Sequence, residues 1–263
     1  MNNLCVLGSE GDLFSMMLIK ELQKLSVQFD VCWFSAPSPK RTFRHGRFIG
    51  MSLWSFLFWE DYIKQVLFGY SRIQQEIVRD YFPFEYNHSQ NDIVVRFDSL
   101  KSCKDFIYSN KYSHVLIGGV PILPQSFFEN DDVIIWGCHP APLPQVRGED
   151  HLVFTLLYGL QPSVSIYRLN NLIDGGYLYQ VYPLDEITCS DSFYSIMMKL
   201  EVFRAKTLAK FSLELLKGNR HYSVVRIEGP LHQYKDVSNK IRRKAECNLQ
   251  KLLKRKKNET TRQ

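Results

Sequence analysis

A histidine and an aspartate in the second half of the chain each follow an apolar segment that is typical of a buried strand. His139 closes Gly137-Cys138-His139, and Asp174 opens the turn Asp174-Gly175-Gly176. A lone histidine is more often a packed core or surface residue, but glycine and proline surround both of these positions. An imidazole held by a carboxylate can take up a proton near neutral pH. If the fold brings the two side chains together, the pair predicts a site for proton transfer.

The elements around this pair alternate between apolar strands and amphipathic helices. We predict strands at 3–8, 30–34, 92–97, 113–119, 131–138 and 163–169, and helices at 13–25, 99–109, about 149–158 and ending near 217. Continuous apolar strands between helices are typical of an α/β, Rossmann-like fold with a mostly parallel sheet that has helices on both faces. Ligands of such sheets bind at the carboxyl ends of the strands. We therefore expect His139 and Asp174 there, each at the exit of a parallel strand.

The order of these elements predicts an α/β domain over residues 1–217 and a C-terminal extension over 218–263. A segment rich in aromatic residues at about 41–87 interrupts the alternation. We predict a helical insertion there, with helices at about 49–68 and 70–81. Packing against the core is its ordinary role, and a lid over the site or a patch that touches a membrane surface are the alternatives.

Positive charge is concentrated at the C-terminus. The chain of 263 residues carries a net charge of +6, whereas residues 235–263 hold 11 Lys and Arg against 3 Asp and Glu. The remainder is therefore slightly acidic, which argues against a basic nucleic-acid-binding domain. A helix predicted in this region has one apolar side, formed by Ile241, Ala245, Leu249, Leu252 and Leu253. We expect a solvated terminal helix, with weak attraction to an anionic membrane surface or to RNA as the alternative.

The sequence carries no pattern typical of membrane insertion, secretion or metal binding. Its longest apolar run, Phe48–Trp59, has 12 residues, against about 20 for a membrane-spanning helix. The N-terminus lacks the basic region and cleavage site of a signal peptide. The six cysteines are scattered without a C-x-x-C or Cys/His cluster. We therefore expect reduced thiols, no metal site and a cytoplasmic location.

The segment around His139 resembles the signature of the formyltransferase family, which includes glycinamide ribonucleotide, methionyl-tRNA and sugar N-formyltransferases. That signature runs Asn-x-His-Pro/Ala/Gly-Ser-Leu-Leu-Pro, then Arg-Gly, and later Asp-x-Gly. The matching residues here are Gly137-Cys138-His139-Pro140-Ala141-Pro142-Leu143-Pro144, Arg147-Gly148 and Asp174-Gly175-Gly176. The resemblance covers about 113–205 well and extends to 1–35.

The resemblance implies transfer of a formyl group from the co-substrate N10-formyltetrahydrofolate to a primary amine. By the motif, His139 positions and deprotonates the amine, and Asp174 orients the histidine or a bridging water. The segment 119–124 matches the loop that lines the pteridine pocket, and 170–175 matches the loop that closes over the folate. The residues expected to contact the folate are Val120, Pro121, Ile122, Leu123, Asn170, Asn171 and Gly175.

One position departs from the signature. In the family the asparagine donates a hydrogen bond to the oxyanion, and Gly137 stands in its place. Removal of one such donor typically costs a factor of about 10²–10³ in rate. Three outcomes stay open. Another donor, such as protonated His139 or His151, replaces the asparagine; the formyl donor or the acceptor has changed; or catalysis is lost and a binding protein is left.

The acceptor that the resemblance favours is the amine of an amino sugar carried by a nucleotide or a lipid, as in polysaccharide biosynthesis. The extension is too short and too helical for the extra barrel of methionyl-tRNA formyltransferases. The acidic loop at 8–12 is unlike the phosphate loop of glycinamide ribonucleotide formyltransferases. Candidate sugar contacts are Arg147, Asp150 and His151, and the segment 224–234 resembles the variable extension where carrier binding differs. We also expect a homodimer without a nucleic-acid partner.

Overall fold

The computed structural model describes residues 3–9, 12–35, 93–129, 131–217, 224–233 and 236–260. The strands in this part of the chain are β1 (Leu4–Ser9), β2 (Asp30–Phe34), β3 (Val94–Phe97), β4 (His114–Ile117), β5 (Ile134–His139), β6 (Arg147–Gly148), β7 (Ser163–Arg168), β8 (Tyr177–Pro183), β9 (Val225–Arg226) and β10 (Leu231–His232). The helices are α1 (Leu13–Lys24), α2 (Leu100–Ser109), α3 (His151–Leu157), α4 (Phe193–Leu216) and α5 (Asn239–Thr260). The predicted insertion at about 41–87 lies outside the described residues.

Polar side chains cap the first turns of α1, α2 and α4. The Asp12 carboxylate accepts a hydrogen bond from the backbone N–H of Ser15 at the start of α1. Ser99 Oγ accepts in the same way from Ser102 at the start of α2. Ser192 opens α4 with a reciprocal pair of side-chain and backbone hydrogen bonds. Each cap satisfies a backbone donor that the first helical turn leaves without a partner.

The strands of the main sheet, within the described ranges, follow the order β3-β2-β1-β4-β5-β7-β8-β9. The first five of these strands run parallel to one another. The last three pair antiparallel. The predicted α/β class and mostly parallel sheet are therefore confirmed, and β8 is a strand that the sequence analysis did not predict.

The expectation that β7 is a parallel strand is wrong. Ser165 of β7 lies opposite His139, the last residue of β5, so the chain enters β7 at the edge where it left β5. Ser165 Oγ donates to the carbonyl oxygen of Ala141 at 2.6 Å and accepts from the N–H of Leu143 at 2.9 Å. These bonds tie the proline-rich segment after β5 to the start of β7. A strand that starts at this edge has to run antiparallel.

Alternate residues of the central strands supply two cores, one on each face of the sheet. In β1, Leu4 and Val6 face the core that contains α1 and α4, and both are fully buried. Leu7 faces the second core together with Ile107 of α2. Burial on both faces explains why these strands read as continuous apolar runs.

The C-terminal extension packs against the elements that carry the site. β9 pairs with β8, and β10 pairs with β6. The helix predicted from the basic segment is α5; it packs on α3, with Ala245, Leu249 and Leu253 buried in the core. Asn248 Nδ2 donates to the carbonyl oxygen of Leu156 at 2.8 Å. The expectation of a solvated terminal helix is therefore wrong, because its apolar side is covered.

Within the described ranges, no helix combines the length and the apolar character needed to cross a bilayer.

Candidate active site

His139 forms the centre of the site at the end of β5. Its side chain is buried, and its Nδ1 lies 3.4 Å from Oδ1 of Asp174. Its Nε2 is also buried and has no hydrogen-bond partner in the part of the chain that the structure describes. The two side chains that the sequence predicts as a pair therefore meet, and one ring nitrogen is left for a further group.

Asp174 lies in the turn between β7 and β8, not at the carboxyl end of a parallel strand. β7 ends opposite Trp136, so the turn has to fold back along the sheet to reach His139. Asp174 itself has a φ of 43°, and Gly176 continues the turn with a φ of 97°. A Cβ at Gly176 would lie 2.2 Å from the backbone oxygen of Arg168, so the turn requires glycine there.

The Asp174 carboxylate accepts hydrogen bonds at both oxygens. The backbone N–H of Gly148 donates to Oδ2 at 2.9 Å. The hydroxyl of Tyr167 donates to Oδ1 at 3.0 Å, the same oxygen that faces His139. Three elements, β5, β6 and β7, thus converge on this carboxylate.

Arg147 holds the Asp174 turn through its backbone. Its Nε donates to the carbonyl oxygen of Asp174 at 3.1 Å, and one Nη donates to that of Ile173 at 2.8 Å. The other Nη donates to the carbonyl oxygen of Gly229 at 2.9 Å. This guanidinium connects the turn to the C-terminal extension. Its predicted role in sugar binding stays a prediction.

Burial lowers the pKa of His139, and the nearby charge of Arg204 adds to this effect, while Asp174 opposes it. Burial alone would raise the pKa of Asp174, but His139 and the donors Gly148 and Tyr167 outweigh it and hold that pKa below its usual value. At neutral pH the pair therefore consists of a neutral imidazole and an ionised carboxylate. A neutral imidazole beside a carboxylate is the state of a general base.

His151 lies next to this pair at the start of α3. Its ring centre is 6.0 Å from that of His139, with the rings close to perpendicular. Burial and the neighbouring His139 lower the pKa of His151 to about 3, so its ring is neutral at pH 7. Asp150, half-buried with a φ of 51°, precedes it. Both lie within the site region, and their contact with a sugar stays a prediction.

Gly137 lies opposite Tyr167 in the pairing of β5 with β7. A Cβ at position 137 would lie 3.0 Å from Cε1 of Tyr167 and 2.7 Å from Cδ1 of Leu169. The space that an asparagine would occupy is therefore filled by side chains of the neighbouring strand. The lowered pKa of His139 argues against its protonated form as the replacement donor at neutral pH. His151 is also neutral at pH 7, but a neutral imidazole keeps one N–H donor, so its role as the replacement stays a prediction.

The two segments predicted to line a folate pocket share an apolar cluster. Leu123 and Val120 pack in the same cluster as Leu169 at the start of the Asp174 turn. Other apolar side chains of these segments are exposed: Ile122 by 70%, Leu172 by 51% and Ile173 by 42%. Asn170 Oδ1 accepts from the N–H of Leu172 at 2.9 Å, Pro121 and Asn171 are exposed, and Gly175 is buried. Ile173 adjoins Asp174 in the chain, so apolar side chains that are exposed among the described residues lie close to the polar pair, and the contact of these two segments with a folate stays a prediction.

Sequence reasoning missed two functional neighbours, Tyr167 and Arg204. The Arg204 guanidinium lies behind β5, where its Nε donates to the carbonyl oxygen of Cys138 and it stacks on the Phe14 ring at 3.6 Å. An ion pair with Glu201 at 3.2 Å balances its charge. Neither residue belongs to a local motif, and only the pairing of β7 with β5 and the packing of α4 bring them here.

The fold is similar to that of N-formyltransferases of known structure. A sugar N-formyltransferase from Shewanella sp FDAARGOS_354 superposes with a TM-score of 0.54 at 13% identity, covering 92% of this chain and 85% of that chain. A 4-N formyltransferase from Francisella tularensis gives 0.56 at 10% identity, covering 93% and 87%. An N-formyltransferase from Helicobacter canadensis, in complex with folinic acid and dTDP-3-aminofucose, gives 0.52 at 14% identity, covering 90% and 72%.

Comparison of sequences gives a shorter match. The methionyl-tRNA formyltransferase of Coprothermobacter proteolyticus is 28% identical over 133 residues, 48% of this chain and 42% of that enzyme. The chain thus matches less than half the length of this curated relative. It matches no protein-family model. The chain has the formyltransferase fold, so the resemblance stated from its motifs is confirmed at the level of the fold.

Proposed function

We propose that the protein transfers a formyl group from N10-formyltetrahydrofolate to the amine of an amino sugar that a nucleotide or a lipid carries. The observation that supports this most is the buried His139–Asp174 pair, whose Nδ1 and Oδ1 lie 3.4 Å apart in a formyltransferase fold. A cytoplasmic location and a homodimer stay part of the same proposal.

His139 acts as the base in this proposal. Asp174 faces Nδ1, so a proton on Nδ1 leaves the lone pair of Nε2, which has no partner among the described residues, for the proton of the incoming amine. The lowered pKa keeps the ring neutral, and the ionised Asp174 then stabilises the imidazolium. General-base catalysis of this kind contributes about 10²–10⁴ in rate.

The residues present fit a folate. Exposed Ile122, Leu172 and Ile173 would hold the flat ring system on the apolar cluster that Leu123 shares with Leu169. The folate supplies the formyl group, whose carbon gains a bond to the amine nitrogen as its bond to N10 breaks. The proton that His139 takes from the amine ends on N10 of the released tetrahydrofolate.

An amino sugar is the acceptor that the comparisons favour over tRNA. Among the similar structures, the Helicobacter canadensis enzyme was crystallised with dTDP-3-aminofucose. The C-terminal extension forms β9, β10 and α5, which pack on the domain. Arg147, Asp150 and His151 are the candidate sugar contacts, and the ring of His151 lies 6.0 Å from that of the base.

Calorimetry with 5-formyltetrahydrofolate, a stable analogue of the donor, tests this proposal first. We expect micromolar binding that weakens about tenfold or more in Ile122→Asp, because a charge there would meet the apolar ring. Val225→Asp is the matched control, since Val225 is 68% exposed on β9. Absence of binding would contradict the proposal.

Turnover with amino-sugar nucleotides is the second test. We expect release of tetrahydrofolate, reduced about 10²–10⁴-fold in His139→Gln with folate affinity unchanged. Binding without release on any amino sugar would favour the alternative, a binding protein that kept the fold and lost the reaction at Gly137.

A further inference from the structure

Tyr167 and Gly137 form a complementary pair across β5 and β7. The two residues are direct partners in the antiparallel register, so a side chain at 137 would point to the same face as the tyrosine. Two ring atoms of Tyr167, Cε1 and Cζ, lie 3.0 Å and 3.2 Å from the position of a Cβ at 137. The ring is 7% exposed, so it is held in this place by the core.

The hydroxyl of Tyr167 ends at the polar centre. It lies 3.0 Å from Oδ1 of Asp174, and the same oxygen lies 3.4 Å from Nδ1 of His139. Because Asp174 is ionised and accepts only, the tyrosine hydroxyl is the donor. One oxygen of Asp174 thus faces the ring of His139 and also accepts the hydrogen bond of Tyr167.

We propose that Tyr167 is a positioning residue of this centre: its ring takes the space left by the missing side chain at Gly137, and its hydroxyl donates to the Asp174 oxygen that faces His139 and so weakens the pull of that carboxylate on the His139 proton. The catalytic meaning of this role rests on the proposed function. The tests below do not rest on it, because they measure only the pKa of His139 and the Tm of the protein. The proposed role gives a steric reason for the departure from the formyltransferase motif, because the large residue on β7 leaves little space for a side chain at Gly137 on β5.

The groups around the centre come from several elements, and each bears on the protonation of His139. They are Asp174 from the β7–β8 turn, Arg204 from α4, Arg147 from β6, His151 from α3 and Tyr167 from β7. In Tyr167→Phe the other four are unchanged. The carboxylate then loses one donor, its charge is less neutralised, and the protonated form of His139 becomes more favourable.

A titration of the His139 ring by nitrogen-15 NMR tests the hydroxyl, with the signal assigned by its loss in His139→Gln. We expect the pKa of His139 to rise by about half a pH unit or more in Tyr167→Phe. Tyr112→Phe is the matched control, because Tyr112 is 2% exposed and donates to Oδ2 of Asp30 at 2.6 Å, far along the chain from the site. An unchanged pKa of His139 in Tyr167→Phe would overturn this part of the proposal.

A double-mutant cycle tests the packing. We expect Gly137→Ala to lower the Tm by about 3 °C or more, because the added methyl meets the tyrosine ring. In Tyr167→Ala the same change should cost little or nothing, since the ring is gone and the Leu169 methyl can turn away. An equal fall in Tm from Gly137→Ala in the wild type and in Tyr167→Ala would overturn the proposed packing of Tyr167 against position 137. Neither measurement uses folate or a sugar, so failure of the formyl-transfer proposal is a separate result.

Discussion

Nε of Arg147 donates to the backbone oxygen of Asp174 at 3.1 Å, so the guanidinium holds the turn that presents the carboxylate. The same side chain reaches Gly229 in the C-terminal extension. The extension is therefore part of the support of the site. The segment that the sequence suggested for carrier binding contributes at least this structural contact.

The first prediction concerns the hydrogen bonds by which Arg147 holds the Asp174 turn, here called the Arg147 clamp. Arg147→Ala removes three hydrogen bonds to carbonyl oxygens, and we expect the free energy of unfolding to fall by about 1–2 kcal/mol, since two of these bonds are exposed to water. Arg168→Ala is the control, because its partner Asp131 is 96% exposed, and it should change stability by less than about 0.5 kcal/mol. Urea denaturation measures both. Equal effects of the two variants would contradict the clamp.

The second prediction concerns the charge of Asp174. Its pKa is lower in the folded protein than in the unfolded chain, so its ionised form adds stability above the unfolded value of about 3.9. This stability is lost as the pH falls through the lower folded value. The difference in unfolding free energy between wild type and Asp174→Asn should therefore shrink as the pH falls from about 5 to about 3.

Urea denaturation at several pH values gives this difference directly. Asp105→Asn removes the same charge at an exposed position of α2 and serves as the reference for the general effect of charge. A wild-type advantage that grows toward acid pH would contradict the prediction.

The third prediction concerns the pH dependence that His151 causes. Its folded pKa of about 3 lies below the unfolded value, so the unfolded chain binds a proton first as the pH falls. Stability should therefore decline below about pH 6.5, by up to about 1.4 kcal/mol per pH unit for this one proton. Water around the partly buried ring reduces that slope. In His151→Gln the decline between about pH 6 and pH 4 should be shallower. A slope equal to that of the wild type would show that the ring titrates normally.

The fourth prediction concerns the docking of α5. Asn248 Nδ2 donates to the carbonyl oxygens of Leu156 and Leu157 at the end of α3. Asn248→Asp replaces this donor with a carboxylate that faces those oxygens, and we expect a loss of about 1–3 kcal/mol in unfolding free energy. Asn258→Asp makes the same change at an exposed position of α5 and should be nearly neutral. A loss of the same size at both positions would contradict a docked helix.

The sequence by itself identified the elements whose signals are local. The apolar runs of the central strands and the motif around His139 depend on neighbours a few residues away. The apolar side of α5 follows from a helical spacing within one segment. These features could be predicted because covalent order places the residues that define them close together.

Only the tertiary structure decided how distant segments meet. β7 runs antiparallel because the chain enters it at the edge where it left β5, and no local pattern encodes that edge. The Asp174 turn folds back along the sheet as a result. Tyr167 is identified only by the register that sets it opposite Gly137. Contacts of this kind join residues far apart in the chain, so their geometry depends on the packing of the whole domain.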